Sequence, residues 1–405
     1  MRLRTALTGL VLLPVLFGCS VNPVTGANEF TFVSQAKEIE MGLTYYEPLQ
    51  QVSGGLYTRD PALSDYVSDV IGKLAKVSDR PELPYQIVIL DTSTVNAWAL
   101  PGGKMAIHRG LLQELTSEAE LAAVLGHEMV HAAARHSARQ MERASLLMAG
   151  LTLADAALGD NKNRTLILAG ASFGSYLLSL KYSRVDEKEA DHYGMIYMER
   201  AGYDPQEAVT LQKTFVRLFE EEKPGVFEQM LASHPPSHDR VEANQALANT
   251  MQEGLYTGKD AFQKATEKLR TDIPSYKKLG IGFEALEKDE LELARSQAEK
   301  VMTASPGLHQ AHRLLGLVNF KEENYQEAIY QFTVAIRLHP EFYAPLYERG
   351  LAYEKSGQLV KAQKDYIASL ELLDTEDAAA GLKRVNKLIR RAARKAKRMK
   401  AESEE

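Results

Sequence analysis

The sequence has little of three things that would direct its chemistry: cysteine, net charge and long apolar runs. One cysteine in 405 residues rules out an internal disulfide and makes a thiolate metal site unexpected. A net charge of −6 gives no reason to propose nucleic acid as a partner. No apolar run reaches the about 20 residues that a membrane-spanning helix needs. The composition, 45% apolar and 25% charged, is that of a globular protein, and the length predicts two or three domains.

The single cysteine, Cys19, stands at the end of an N-terminal targeting sequence. A short basic region precedes an apolar run at 10–17, and residues 16–19, L-F-G-C, resemble a bacterial lipobox. We expect residues 1–18 to be a lipoprotein signal peptide and Cys19 to be the acylated first residue of the mature protein. The alternative is an ordinary signal peptide with a cysteine there by coincidence.

The residues after the cysteine indicate a location and a linker. Ser20, by resemblance to sorted lipoproteins, implies the outer membrane of a Gram-negative bacterium, with the protein facing the periplasm. Residues 22–28 are polar and contain proline and glycine, so we expect 19–33 to be a tether.

A metal-binding motif, H-E-x-x-H, stands at residues 127–131 after an apolar stretch at 120–126. On a helix, residues four apart lie on the same face, so His127 and His131 can both point at one metal ion. Glu128 then lies beside the ion without binding it. Zinc in such a site lowers the pKa of a bound water to about 7, and a neighbouring carboxylate can take the proton. The motif predicts peptide-bond hydrolysis; two solvated histidines, the alternative, fit the apolar lead-in poorly.

The third zinc ligand is not supplied by the same helix. A metzincin has a histidine six residues after the second one, and Ser137 stands there instead. His136 lies about 140° around the helix from His131 and cannot share its face, so we expect a structural role for it. The third ligand should therefore come from elsewhere in the chain.

A second helix with acidic residues, at 183–194, offers that ligand. Glu187 and Asp191 are four residues apart and share a face, so one can bind the metal while the other orients a ligand histidine. Glu189 points about 200° away from Glu187, toward solvent. The spacing favours Glu187 as the ligand and leaves Glu189 and His192 as weaker options. The alternative is a solvated acidic helix.

The two motifs together resemble a known family. H-E-x-x-H at 127–131 and S-R-x-x-E-x-x-A-D-x-x-G at 183–194 resemble the pattern of the gluzincin zinc metallopeptidases, which include HtpX, the CAAX-prenyl endopeptidases and the periplasmic protease BepA. The segment N-A-W-A-L-P-G-G at 96–103 is similar to the family's strand and turn before the metal helix. The resemblance covers residues 21–249 and implies one zinc ion per chain. It implies that His127, His131 and Glu187 are the zinc ligands. It implies that Glu128 is the catalytic base.

The resemblance also implies roles around the metal. Asp191 would orient a ligand histidine. Residues 233–240 resemble the family's H-P-x-x-x-x-R stretch, in which His234 would act as a reversible fourth ligand or as a donor to the oxyanion. Arg240 would support His234 or hold the neighbouring carboxylates, and His238 is expected to be a solvated loop residue.

The C-terminal third is a repeat with a period of 34 residues. Three sets of small or aromatic residues recur in register, which is typical of tetratricopeptide repeats, pairs of helices that stack into a protein-binding scaffold. The sets are Gly282, Gly316 and Gly350; Ala294, Ala328 and Ala362; and Ala298, Phe332 and Tyr366. We expect three repeats at 272–376 and a C-terminal helix with a charged tail at 377–405. The basic stretch at 383–400 is expected to be solvated, with attraction to an anionic membrane as the alternative.

The sequence between these motifs predicts mainly helix with a small β-sheet. Strands are expected at 86–90, 94–100 and 104–108, the last two joined into a hairpin by a Pro-Gly-Gly turn. One long helix is expected at 117–148, and the apolar stretch at 144–180 is expected to be a buried helical hairpin, with a membrane-facing lid as the alternative. The predicted fold is an α+β zincin-type protease domain at 34–271, mainly α with a small β-hairpin, followed by an all-α tetratricopeptide solenoid.

The predicted function is zinc-dependent endoproteolysis of envelope proteins, in quality control or assembly. An extended substrate segment would pair as a strand with the hairpin edge, so Asn96, Ala97 and Trp98 are the expected substrate-binding residues. By resemblance, the substrates are outer-membrane or periplasmic proteins, and the repeats bind protein partners. The alternative is a periplasmic chaperone or assembly factor whose repeats bind clients and whose protease site is latent.

Overall fold

The computed structural model describes residues 18–31, 33–143, 182–220 and 233–403. Within these residues the chain is mainly helical with small sheets, which confirms the predicted fold class. No helix among them combines the length and the apolar character that a membrane crossing requires. The predicted signal peptide up to residue 17 and the apolar stretch at 144–180 lie outside the described residues.

The part of the chain that precedes the repeats contains two small sheets and the helices packed around them. Its strands are β1 Gly18–Val21, β2 Asn28–Thr31, β3 Gln86–Leu90, β4 Ala97–Leu100 and β5 Lys104–His108. Its helices are α1 Gln35–Val52, α2 Pro61–Ala75, α3 Arg109–Glu114, α4 Glu118–Ala133, α5 Arg184–Arg200, α6 Gln206–Glu220, α7 His238–Ala248 and α8 Lys259–Ala265.

The second sheet has the strand order β3-β5-β4 and contains the predicted hairpin. β4 and β5 pair antiparallel around a short turn at Pro101–Gly103, and β3 pairs parallel with β5 on the other side. The turn requires glycine at Gly102, where φ is 74° and a Cβ would lie 2.6 Å from the Cα of Ile39 in α1. The arrangement leaves β4 at an edge of the described sheet.

The helix that carries H-E-x-x-H is shorter than predicted. The Ser117 hydroxyl accepts a hydrogen bond from the backbone N–H of Glu120 at 3.0 Å and so begins α4, which ends at Ala133. Arg135 adopts a left-handed conformation with φ of 64°, and helical residues resume only at 136–143. The prediction of one continuous helix from 117 to 148 is therefore wrong, because a residue with positive φ interrupts it.

A buried ion-pair network holds the interruption in place. The Glu38 carboxylate, on the first turn of α1, lies 2.6 Å from Nε of Arg135 and 3.0 Å from a guanidinium nitrogen of Arg80. All three side chains are less than a tenth exposed. Two cations thus share one buried anion, and this arrangement offsets the strain of the left-handed residue.

The N-terminal segment that we expected to be a tether is packed against this same region. β1 and β2 pair antiparallel, and the Asn22 amide donates to the carbonyl of Ala134 at 2.9 Å. Glu29, in β2, forms an ion pair with Arg139. Residues 21–31 therefore differ from the expectation of a free linker, since their polar side chains find partners on the domain.

The repeat region consists of three helix pairs followed by one long helix. The helices are α9 Glu267–Glu287, α10 Leu291–Ala304, α11 His309–Lys321, α12 Tyr325–Leu338, α13 Tyr343–Lys355, α14 Leu359–Leu372 and α15 Glu376–Glu402. The small residues of the 34-residue pattern lie where helices cross: Ala328 is fully buried, and a Cβ on Gly316 would lie 2.6 Å from the Phe332 ring. The first helix of this region begins five residues before the expected boundary at 272.

The repeats pack directly against the domain that precedes them. The Arg109 guanidinium lies 3.4 Å from the centre of the Tyr276 ring and donates to Asp91 at 2.8 Å. Asp91 also lies 3.4 Å from Nε2 of His309. Burial alone would raise the pKa of Asp91, but His309 and Arg109 lower it to about 2. The stacking of Arg109 on Tyr276 and the contact of Asp91 with His309 therefore join the two regions.

We predict that Glu38→Gln lowers the free energy of unfolding by about 3 kcal/mol, because two buried guanidinium groups lose their shared anion. Chemical denaturation followed by circular dichroism measures the change. Glu40→Gln on the same helix is the matched control, since Glu40 is 64% exposed and pairs only with an exposed Lys37. Its effect should stay within about 0.5 kcal/mol. Equal destabilisation by the two substitutions would contradict the network's role.

Candidate metal centre and active site

Three side chains from two helices bring metal-ligand atoms together. Nε2 of His127 lies 3.1 Å from Nε2 of His131 and 3.6 Å from a carboxylate oxygen of Glu187. The other Glu187 oxygen lies 3.4 Å from Nε2 of His131. Zinc bonds of 2.0–2.1 Å in tetrahedral geometry separate neighbouring ligand atoms by about 3.4 Å. The three observed separations fit that value.

The helices that supply these ligands cross at glycines. Gly126 in α4 faces Gly194 in α5, and a Cβ on Gly194 would lie 3.0 Å from the backbone nitrogen of His127. At the other end of α5, Ser183 and Asp186 form a reciprocal capping box. The crossing and the cap fix the position of Glu187 on the first turn of α5, next to the two histidines.

The outer nitrogens of both histidines have partners that fix the tautomers. Nδ1 of His127 lies 3.0 Å from Asp191, so it carries the proton and donates to the carboxylate. Nε2 of His136 lies 3.0 Å from Glu189, and Nδ1 of His136 lies 3.0 Å from Nδ1 of His131. His136 thus donates to Glu189 and accepts from His131.

These tautomers leave a lone pair on each Nε2, and the two lone pairs face each other across 3.1 Å. Burial lowers the pKa of His131 well below its ordinary value, so that imidazole is neutral. Burial alone would raise the pKa of Glu187, but His234 and His127 hold it well below its ordinary range. The two Nε2 lone pairs and the anionic Glu187 oxygen at this spacing could hold a metal cation between them.

His136 lies off the ligand face, as expected, but sequence reasoning did not predict its contact with His131. Glu189 was expected to point to solvent and instead contacts His136 behind His131. The interruption of the helix at Arg135 turns His136 back toward the site. No glycine or proline in the sequence indicates that turn. Tyr182, which sequence analysis did not single out, stacks on the His131 ring with centroids 3.7 Å apart.

Glu128 lies beside the ligand atoms and is almost completely buried. Its side chain is only 4% exposed, and one of its oxygens lies 3.5 Å from Nε2 of His234. The other oxygen has no hydrogen-bond partner among the described residues. Burial raises the pKa of Glu128, which makes it a stronger base than an exposed glutamate.

His234 covers the open side of the ligand cluster. Its Nδ1 lies 2.8 Å from a Glu187 oxygen and 3.3 Å from Nε2 of His127. Burial alone would lower the pKa of His234, but the carboxylates of Glu187 and Glu128 raise it to about 9. Both ring nitrogens therefore donate toward carboxylates in this arrangement.

Arg240 clamps the carboxylates that support the site. It donates to both oxygens of Asp191, at 2.7 and 2.8 Å, and a third nitrogen lies 2.9 Å from Glu187. Of the two functions that the sequence suggested, the geometry matches holding the neighbouring carboxylates. His238 is 72% exposed and pairs with an exposed Glu220, so it is solvated as expected, but it is the first residue of α7 and not part of a loop.

The weaker ligand option and the expected substrate residues lie in different surroundings. His192 is exposed on α5, outside the ligand group. Trp98 is 7% exposed, and its ring packs edge-on against Tyr46 with centroids 6.2 Å apart. The Trp98 side chain is therefore packed in the core behind the sheet. Only the backbone of Trp98 is available to a substrate. The carbonyl of Asn96 accepts a hydrogen bond from the N–H of His108 at 2.9 Å.

An apolar cavity opens next to Glu128 and His234. Ala97 contributes to its wall from β4, and most of the remaining lining comes from helices α4, α5 and α6, with Leu111 of α3 and residues of α7 completing it. The apolar side chains that line it include Val124, Met195, Met198, Leu211 and Phe215. A cavity of this kind accepts an apolar side chain beside the ligand cluster.

Comparisons with known proteins match the part of the chain that contains this site. The model of peptidase family M48 matches residues 61–248. The beta-barrel assembly-enhancing protease of Escherichia coli (strain K12) is 25% identical over 315 residues, which cover 70% of this chain and 63% of that protein.

Two further relatives match over shorter stretches. A putative beta-barrel assembly-enhancing protease of Vibrio cholerae is 32% identical and covers 45% of this chain and 38% of its own length. The mitochondrial metalloendopeptidase OMA1 of Schizosaccharomyces pombe is 31% identical and covers 54% of this chain and 63% of its own length. The chain thus spans less than two thirds of each of these relatives. Residues 61–248, which the model of peptidase family M48 matches, include His127, His131 and Glu187.

Proposed function

We propose that the protein is a zinc-dependent endopeptidase that acts on proteins of the bacterial envelope. One observation carries the proposal: His127, His131 and Glu187 present two lone pairs and an anion at the spacing of a zinc tetrahedron, with Glu128 alongside. The relatives named for beta-barrel assembly support outer-membrane or periplasmic proteins as substrates, in assembly or quality control.

In the proposed mechanism the chain's own residues bind, orient and move the proton. His127, His131 and Glu187 would hold zinc, which when bound acidifies water and polarises the scissile carbonyl. Glu128 accepts a proton from the attacking water and returns it to the leaving amine. His234 donates an N–H to the oxygen that becomes negative. Asp191 and Arg240 keep the ligands in position.

The substrate would bind in extended form beside β4. The backbone of residues 97–100 is at the edge of the described sheet, so it can add one more strand. The residue next to the scissile bond would place its side chain in the apolar cavity near Phe215. We also propose that Cys19 carries the lipid anchor and that the repeats bring protein clients to the site.

A second candidate function is a chaperone or assembly factor with a latent protease site. The close contact of His234 with Glu187, at 2.8 Å, favours it, because this imidazole covers the ligand cluster. The three helix pairs of the repeat region would then bind clients without cleavage.

We predict that Glu128→Gln abolishes cleavage and leaves zinc bound, because the amide cannot accept the proton and Glu128 is not a ligand. The rate on an unfolded outer-membrane protein should fall by at least about 10²-fold. Zinc content, measured by atomic absorption, should stay at one per chain. Glu220→Gln, at an exposed position, is the control and should retain the parent rate. Cleavage by Glu128→Gln at the parent rate would rule out this mechanism.

The same variant distinguishes the two functions in cells. A deletion strain that carries Glu128→Gln should fail to recover if proteolysis is the function. Full recovery of the strain, with the variant present at the parent level, would favour the chaperone. Clients that stay bound to the variant can be isolated through a tag and identified by mass spectrometry.

We predict that His136→Gln and Glu189→Gln each weaken zinc binding about 10- to 100-fold, because they remove the partners that orient His131. Competition with a chromogenic chelator measures the affinity independently of activity. His192→Gln, on the exposed side of α5, is the matched control and should leave the affinity unchanged. Unchanged affinity in both test variants would mean that His136 only fills space.

A further inference from the structure

The last helix, α15, has a charge distribution unlike that of the other helices. Residues 383–400 contain ten lysines and arginines and no acidic residue, although the whole chain has a net charge of −6. The ten are Lys383, Arg384, Lys387, Arg390, Arg391, Arg394, Lys395, Lys397, Arg398 and Lys400. In contrast, the charged residues of α10 alternate in sign, with Glu292, Arg295, Glu299 and Lys300. Blocks of charge of one sign are often segments that interact with an oppositely charged partner.

The first half of α15 covers the last repeat. Val385 is fully buried, and Leu382 and Ile389 pack around Tyr366 of α14 and its neighbours. Arg384 forms an ion pair with Glu354 at 3.1 Å. This half of α15 therefore caps the last repeat.

The second half of α15 extends beyond the repeats. Every residue from Arg390 to Ser403 is exposed, whereas Ile389, one position earlier, is half-buried. The helix continues to Glu402, so about 20 Å of it lies past the packed part at 1.5 Å per residue. We call residues 390–402 the basic arm.

The basic arm is amphipathic although nothing in the described chain covers it. The apolar line that is buried at Val385 continues at helical spacing through Ala392, Ala396 and Met399, and Met399 is 59% exposed. The lysines and arginines occupy the remaining faces. Like charges three and four residues apart repel each other, so the arm is unfavourable alone and gains from an anionic partner.

We propose that the basic arm binds the surface of an anionic phospholipid membrane. Long basic side chains beside a narrow apolar line suit the boundary between headgroups and acyl chains. The residues 376–403 contain no aromatic side chain that could stack on nucleic acid bases. This inference does not depend on the proposed protease activity.

Vesicle co-sedimentation tests the proposal. The full chain with Cys19→Ser, which removes any acyl anchor, is mixed with vesicles of phosphatidylcholine alone or with 30% phosphatidylglycerol added, about the anionic fraction of a bacterial membrane. We expect at least about tenfold tighter binding to the anionic vesicles, and loss of that difference at high salt. Equal binding to the two vesicle types would overturn the proposal.

Matched charge-neutralised variants locate the effect. The test variant replaces Arg391, Arg394, Lys395 and Arg398 with glutamine, all in the exposed arm, so the packed repeats stay intact. The control replaces four exposed lysines outside the arm with glutamine, namely Lys264, Lys277, Lys361 and Lys364. Binding to anionic vesicles should fall about tenfold in the test variant and stay at the parent level in the control.

Two other outcomes would also overturn the proposal. Equal losses in the test and control variants would show a diffuse charge effect rather than a membrane-binding arm. Tighter binding to duplex DNA or to polyglutamate than to anionic vesicles would assign the arm to another class of partner. An unchanged far-ultraviolet spectrum and melting midpoint in both variants confirm that folding is not the cause.

Discussion

The close crossing of α4 and α5 is the constraint on which the candidate site depends. Packed helices usually have axes 8–10 Å apart, which leaves room for side chains between them. Here Gly126 faces Gly194, and a single Cβ on Gly194 would lie 3.0 Å from the backbone nitrogen of His127. With no side chain between the helices, their faces cannot slide independently. The histidines of one helix therefore meet Glu187 of the other at separations near 3.4 Å, which a metal site requires.

The charges that surround each ionisable group in the site determine its protonation behaviour and therefore its chemical role. An unpaired buried carboxylate costs several kcal/mol, so Glu187 and Asp191 share the guanidinium of Arg240. Glu128 is the exception, since one of its oxygens has no hydrogen-bond partner among the described residues and burial raises its pKa. A buried carboxylate without hydrogen-bond donors binds a proton more tightly than an exposed one. Burial thus destabilises the Glu128 carboxylate as an anion, and for the same reason makes it a suitable base.

Periodic patterns in the sequence predicted the features that depend on the geometry of a single helix. They failed for contacts between residues that are far apart in the chain. The spacing of four within 127–131 and between Glu187 and Asp191 follows from the helix itself, and the structure brings these side chains together. The 34-residue period likewise predicted the paired helices of the repeats. The positions of His136 and Glu189 depend on the interruption at Arg135, which is held by Glu38 nearly a hundred residues earlier in the chain. No pattern within one helix can predict such a contact.

The repeats contact the site's sheet through packed side chains and not through a flexible linker. Arg109 directly follows β5, and its guanidinium is stacked on Tyr276 of α9 and paired with Asp91. β5 in turn pairs with β4, the edge proposed to receive substrate. If the repeats moved alone, Arg109 would lose its stacking on Tyr276 and Asp91 would lose its contact with His309, although the pair between Arg109 and Asp91 would remain. Movement of α9 together with the sheet keeps both contacts. A displacement of α9 would therefore act on β5 and, through it, on β4.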